Sequence, residues 1–119
     1  MDKTQNEFNV KSHFEGKASS VQETYDELVK GIRQFGPVGE DSKKTSIHLV
    51  NRTALAGVAT RKDYLILTIK SDRELKSQRI HKTEKVSAKR FHHEVKLASP
   101  DDVDSELIGW LRDAYTLSA

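Results

Sequence analysis

The sequence predicts an α+β domain: an antiparallel three- to four-stranded meander sheet with an N-terminal and a C-terminal helix packed on one face. Three observations predict it. One apolar stripe at helical spacing lies early in the chain, and another closes it. The segment between them alternates apolar and polar residues with the period of two that marks half-buried antiparallel strands. At 119 residues, such a chain removes about two thirds of its unfolded surface from water on folding, enough for one core.

The first helix is expected over Ser20–Phe35. Val21, Tyr25, Leu28, Val29, Ile32 and Phe35 recur on one face. Ser20-Val21-Gln22-Glu23 reads as a Ser-x-x-Glu capping box, in which side chains satisfy the free amides of a helix start. Gly36-Pro37 ends the helix, because glycine takes a left-handed cap and proline cannot continue the ladder. Phe14 stands upstream, placed to pack back on the first turn. Residues 1–12, with Phe8 and Val10 alternating, read as a flexible N-terminal tail or a short edge strand. That leaves a single domain over 13–119.

Strands are expected between Lys44 and Leu97. Ile47 and Leu49 alternate with His48 and Val50, and Asn51-Arg52-Thr53 forms a tight connection. Leu55 to Ala59 is a strand of small residues, followed by a turn at Arg61-Lys62-Asp63. Leu65, Leu67 and Ile69 alternate with Tyr64, Ile66 and Thr68. Phe91, His93, Val95 and Leu97 alternate with His92, Glu94 and Lys96. The polar segment between Ser71 and Arg90 is too long for a structureless loop in a compact domain. It holds either a short helix near Asp72–Lys76 or an extra strand near Gln78–Val86. The last helix is expected over Pro100–Leu117. Ser99 is its N-cap, Pro100 its first position, and Asp101 and Asp102 suit the positive end of its dipole. Val103, Leu107, Trp110, Leu111 and Ala114 form its stripe. If the Trp110 ring is fully in the core, its truncation to alanine costs about 3–5 kcal/mol.

Composition narrows the function classes. There is no cysteine, which excludes disulfides, thiolate metal sites and cysteine nucleophiles. No apolar run approaches the length of a membrane helix, and Met1–Ser12 lacks the apolar core of a signal peptide. Cytoplasmic residence and no membrane partner are therefore expected. The net charge of +2 hides a segregation: residues 43–96 hold fourteen basic and five acidic residues, while both flanking segments are net acidic.

The residues also carry a resemblance. His13-Phe14-Glu15-Gly16-Lys17, Lys44-Thr45-Ser46-Ile47, Ala56 to Lys62, Phe91 to Leu97, and Asp102 to Leu107 through Ala114-Tyr115 follow one another in a pattern similar to that of an uncharacterised bacterial domain family. Its members are labelled as a domain of unknown function or, loosely, as a predicted transport protein. The resemblance covers nearly the whole chain from His13. It implies a small α+β domain and no established activity, and it supplies no catalytic residues. The transport label finds no membrane segment here to support it.

Each candidate site has a plainer reading beside it. Glu94 and Lys96 share one strand face, as the carboxylate and lysine of Mg²⁺-dependent nucleases do. Such enzymes need a further aspartate, and Asp63 and Asp72 lack a clear strand-end context, so an exposed charged strand is the preferred account. His92 and His93 are adjacent on a strand and point to opposite faces, so they do not share a metal; His93 reads as a buried, hydrogen-bonded histidine. Asp102-Val103-Asp104 is better explained by helix capping than by a metal. No phosphate loop or nucleophile elbow is present. No catalytic residue, metal or cofactor is therefore assigned.

Two surfaces remain. One is the sheet face without cover, bearing His48, Val50, Ile66, Thr68, His92, Glu94 and Lys96, to which Val58 also reads as contributing an apolar group. It predicts a non-catalytic interaction or self-association module, with a homodimer as the expected partner. The other is the basic region, with Lys43, Lys44, Arg61, Lys62, Lys89, Arg90 and Lys96 as speculative binding residues. It predicts an accessory domain that binds nucleic acid or another polyanion weakly. The Mg²⁺ nuclease is kept as a remote third.

Overall fold

A computed structural model describes residues 9–119. The order is a 3₁₀ turn (Val10–Phe14), α1 (Ser19–Arg33), β1 (Gly39–Ser42), β2 (Ile47–Val50), β3 (Ala54–Thr60), β4 (Leu65–Ser71), β5 (Ile80–Ser87), β6 (Arg90–Leu97), a second 3₁₀ turn (Pro100–Asp102) and α2 (Ser105–Leu117). The expected α+β class with an antiparallel sheet is what the structure has. The sheet has six strands, however, not three or four, in the order β1-β2-β3-β4-β6-β5. Residues 1–8, which carry most of the expected tail or edge strand, lie outside the described residues.

The two extra strands are the edges. β1 reads Gly-Glu-Asp-Ser and β5 is exposed along its length. A strand with no buried face carries no apolar alternation, so period two cannot reveal it. β5 settles the open choice over residues 71–90 in favour of the strand. It also breaks the meander. The chain leaves β4, skips one strand position to form β5, and returns to fill the gap with β6. β4 and β5 therefore run parallel, joined by residues 72–79. Eight extended residues reach about 26 Å, enough to run back along a strand of seven residues, about 23 Å, without a crossover helix.

One face of the sheet forms the core. Ile47, Val58, Leu67 and Val95 lie side by side across four strands, and Leu49, Ala56, Ile69 and His93 form the next row. Val58 is thus on the inward face and fully buried, not on the open face, because its neighbours in the ladder are core residues. Leu55 has no partner in β2 where the register shifts, and it too is buried. The α1 stripe of Val21, Tyr25, Leu28 and Ile32 joins the same core as Leu107, Leu111 and Ala114 of α2. Phe14 packs on Tyr25 with ring centroids 5.2 Å apart.

Helix ends are held by tertiary bonds as much as by local caps. The expected capping box at Ser20 is not formed: α1 starts at Ser19 after Ala18, which makes no side-chain cap. Instead the Ala18 amide donates to Lys62 O at 2.8 Å, tying the helix start to the β3–β4 turn. At its other end Gly36 has φ of 146°, a conformation that L side chains avoid. A Cβ there would also meet the Tyr115 hydroxyl, which donates to Pro37 O at 2.9 Å. Ser99 caps the 3₁₀ turn with Asp102 as its reciprocal partner, and Asp104 caps α2 itself. The last carbonyls of α2, otherwise without partners, are met by the β2–β3 turn. Arg52 N and Thr53 N donate to Ser118 O at 3.0 and 3.1 Å, and Asn51 Nδ2 donates to Tyr115 O at 3.1 Å.

Candidate functional site

The outward face of the sheet carries a groove of about 440 Å³ running along β3. Its floor follows from the sequence. β3 is built of small residues, and Gly57 and Ala59 point outward between taller neighbours. His48 on β2 stands on one side. Thr68 and Lys70 on β4 and His92 on β6 stand on the other. A Cβ placed on Gly57 would come within 3.8 Å of His48 Cδ2, an ordinary contact, so the floor is low without being strained. His48 and His92 thus share one groove but lie three strand spacings apart, about 14 Å. That is too far for one metal. Among the described residues no group of three or more His, Asp or Glu side chains is placed to hold a metal ion.

Every residue expected on the open face other than Val58 lies there. Val50 and Ile66 are half-buried, and Ile66 sits between Ala59 and Lys96 in the ladder. Glu94 and Lys96 are on this face but engaged elsewhere. Glu94 is paired with His81 at 3.3 Å and Lys82 at 3.9 Å. The Lys96 ammonium sits 4.4 Å from the centre of the Tyr64 ring. Asp63 lies in the β3–β4 turn and Asp72 pairs with Arg73, so neither completes a nuclease-like set with them. Sequence reasoning missed Gly57, Ala59 and Lys70 as groove residues. The signals were present in the small-residue run of β3 and in the continuation of the Ile66, Thr68 alternation to Lys70.

The basic residues do not gather in one place. Lys43 and Lys44 in the β1–β2 turn and Arg61 and Lys62 in the β3–β4 turn share one end of the sheet, with Lys96 near it. Lys89 and Arg90 lie at the opposite end, about 20 Å away, beside Lys70. Part of the basic charge is also consumed internally. Arg79, with its side chain 23% exposed, reaches Asp104 at 2.7 Å and Glu106 at 3.3 Å. Arg73 reaches Asp113 at 3.4 Å. The segregation seen along the sequence is in this way folded into contacts between the β4–β5 crossover and α2.

His93 is buried on the inward face and holds that crossover. The Leu75 amide points at Nε2 from 3.3 Å. Arg73 O lies 3.3 Å from the same Nε2 and Thr83 Oγ1 lies 3.1 Å from Nδ1, so each ring nitrogen has a partner whichever carries the proton. Ser71 Oγ lies 3.0 Å from Nε2 and donates to Arg73 O. This explains a histidine in an apolar row: the crossover backbone runs over β6 without secondary structure, and the ring supplies the partner a ladder would have given.

A second cavity, about 490 Å³, lies between the crossover and α2, lined by Ser71, Arg73, Leu75, Trp110 and Asp113. Trp110 is therefore half-exposed at the core's margin, not fully in it. Near β1, the Tyr25 hydroxyl donates to Glu40 Oε2 at 2.5 Å, and Arg33 pairs with the same carboxylate at 3.5 Å. Burial, then the Glu40 bond, push the Tyr25 phenol well above its ordinary value. This cluster pins β1 to α1.

Among the described residues no helix is long and apolar enough to cross a membrane. Comparison with curated proteins and with solved structures returns no match. A family model does match, over residues 10–118, from the first 3₁₀ turn through the end of α2. The chain belongs to the family described as Domain of unknown function (DUF5655).

Proposed function

We propose that this domain is a non-catalytic interaction module whose working surface is the outward face of the sheet. The observation that carries the reading is the groove itself. It is a face with an apolar floor of Gly57 and Ala59, half-buried Val50 and Ile66 beside it, and a polar rim of His48, Thr68 and His92. An apolar centre with a polar rim is the anatomy of a partner surface. The sheet edges are poorer candidates. β1 has four residues, and β5 carries Lys82, Glu84 and Lys85, the charges that discourage edge-to-edge pairing. A second copy of the chain is the partner this reading expects.

The polyanion reading has less support, because the cations of residues 43–96 divide between two ends of the sheet and Arg73 and Arg79 are already paired. Sedimentation velocity over a wide range of protein concentration tests the module. A dimer that dissociates on dilution, and that Ile66→Glu abolishes while leaving the circular dichroism unchanged, is expected. A monomer at every concentration would remove self-association. A dimer indifferent to Ile66→Glu would move the interface off this face.

A further inference from the structure

At the end of the groove nearest the β5–β6 turn, two cations stand together on the outward face. Lys70 on β4 lies directly across from His92 on β6. Arg90 is two residues before His92 on the same strand, hence on the same face. Among the described residues neither Lys70 nor Arg90 forms an ion pair. Lys70 Nζ has Thr53 Oγ1 at 3.4 Å, and Arg90 Nη1 donates to Lys89 O at 2.8 Å. Among the described residues no carboxylate lines the groove. Glu84 is exposed on β5 directly across from His92 and two strand spacings from Lys70, about 10 Å, while Glu94, two residues after His92 on the same face, is held by His81 and Lys82. Asp72 follows β4 but turns to the helix side, where it pairs with Arg73. Partial burial and then the charge of Arg90 hold the Lys70 ammonium below its ordinary value, the mark of a cation short of both water and an opposite charge.

Beyond this charged end the groove continues over the apolar floor between His48 and His92. Its volume of about 440 Å³ falls in the range of small-molecule pockets, roughly 300–1,000 Å³. We propose that the groove binds a small organic anion, its acidic head group on Lys70 and Arg90 and its flat apolar body on the floor at Gly57. This rests on the outward face being the working surface, but not on self-association. The separation of the two halves of the site is what selects the ligand. Head group alone reaches only the cations, and an apolar body alone leaves them unpaired. A long polyanion reaches the cations of this end but leaves the apolar floor at Gly57 uncovered.

The test is an NMR amide-shift titration of dilute protein with phenyl phosphate, benzoate, inorganic phosphate and benzyl alcohol. Phenyl phosphate and benzoate are expected to shift Gly57, Thr68, Lys70 and His92 together. Inorganic phosphate and benzyl alcohol should each bind at least about tenfold more weakly, since each makes only half of the contacts. Lys70→Met, which keeps the length of the side chain, should weaken phenyl phosphate by about tenfold. Gly57→Val should reduce phenyl phosphate to the level of inorganic phosphate. Equal binding of phenyl phosphate and inorganic phosphate, shifts scattered over both ends of the sheet, or indifference to Lys70→Met would each overturn the proposal. Protein that dimerises through Ile66 but shows no shifts with any probe would overturn it as well while leaving the module standing. A monomer that binds as described would support it and remove self-association.

Discussion

His93 shows how one buried polar side chain can fix a connection that the backbone alone would leave unsatisfied. Its ring meets the Leu75 amide and the hydroxyls of Ser71 and Thr83 at once. His93→Leu matches the burial but strands those partners, so a loss of about 2–4 kcal/mol is expected in urea unfolding. Thr83→Val, which removes one bond at the margin, should cost less than half of that. A His93→Leu variant as stable as the parent would mean that the crossover is held by packing alone. Asp104 works through charge instead. The Leu107 amide first, and the Arg79 guanidinium after it, hold its carboxyl below the ordinary value. A depressed folded-state pKa contributes stability that is present above the unfolded value and lost as pH falls through the folded one. Asp104→Asn keeps a good N-cap but not the charge. It should cost about 0.5 kcal/mol near neutral pH, since the side chain is 50% exposed and screened. That difference should shrink as pH falls below the ordinary carboxylate range and through the depressed folded-state value of Asp104. Thermal melts across pH decide it, and a difference that persists in acid would locate the effect in the cap and not the charge.

The elements differ in how visible they were. Both helices and the four inner strands were legible, because each buries one face and a buried face imposes a period. β1 and β5 bury none, and their identity rests on backbone pairing that composition does not record. The start of α1 was misread for a related reason. Ser20 and Glu23 form a locally plausible box, yet the β3–β4 turn supplies a tertiary bond that places the start one residue earlier. Trp110 was counted in the stripe of α2, which it joins, but the stripe ends at a cavity beside the crossover. Trp110→Ala should therefore cost about 1.5–3 kcal/mol, below the range for a fully buried ring. Its fluorescence should be quenched by iodide in the folded state. An unquenched ring and a loss above about 4 kcal/mol would return it to the core. Of the outward face, the residues were legible from alternation alone. The groove was not, because its depth comes from what β3 lacks relative to the strands on either side.

At the scale of the whole molecule, a six-stranded sheet with both helices contributing to the core on one side leaves the other side uncovered by helix among the described residues. The charge pattern of the chain supports that division. Carboxylates of α2 pair with Arg73 and Arg79 of the crossover, and the cations expected to bind polyanions divide between the two ends of the sheet, leaving the floor of the groove apolar. The most direct test of this account maps solvent contact residue by residue, with a soluble paramagnetic agent acting on amide resonances of dilute and of concentrated protein. In dilute protein the account predicts strong relaxation along the outward face at Gly57, Thr68 and His92 and weak relaxation in the buried stripe of α1. At high concentration the relaxation at those three positions should fall while that of the exposed faces of α1 and α2 stays unchanged. Protection of Gly57, Thr68 and His92 already in dilute monomer, or a concentration-dependent loss confined to the helices, would contradict it.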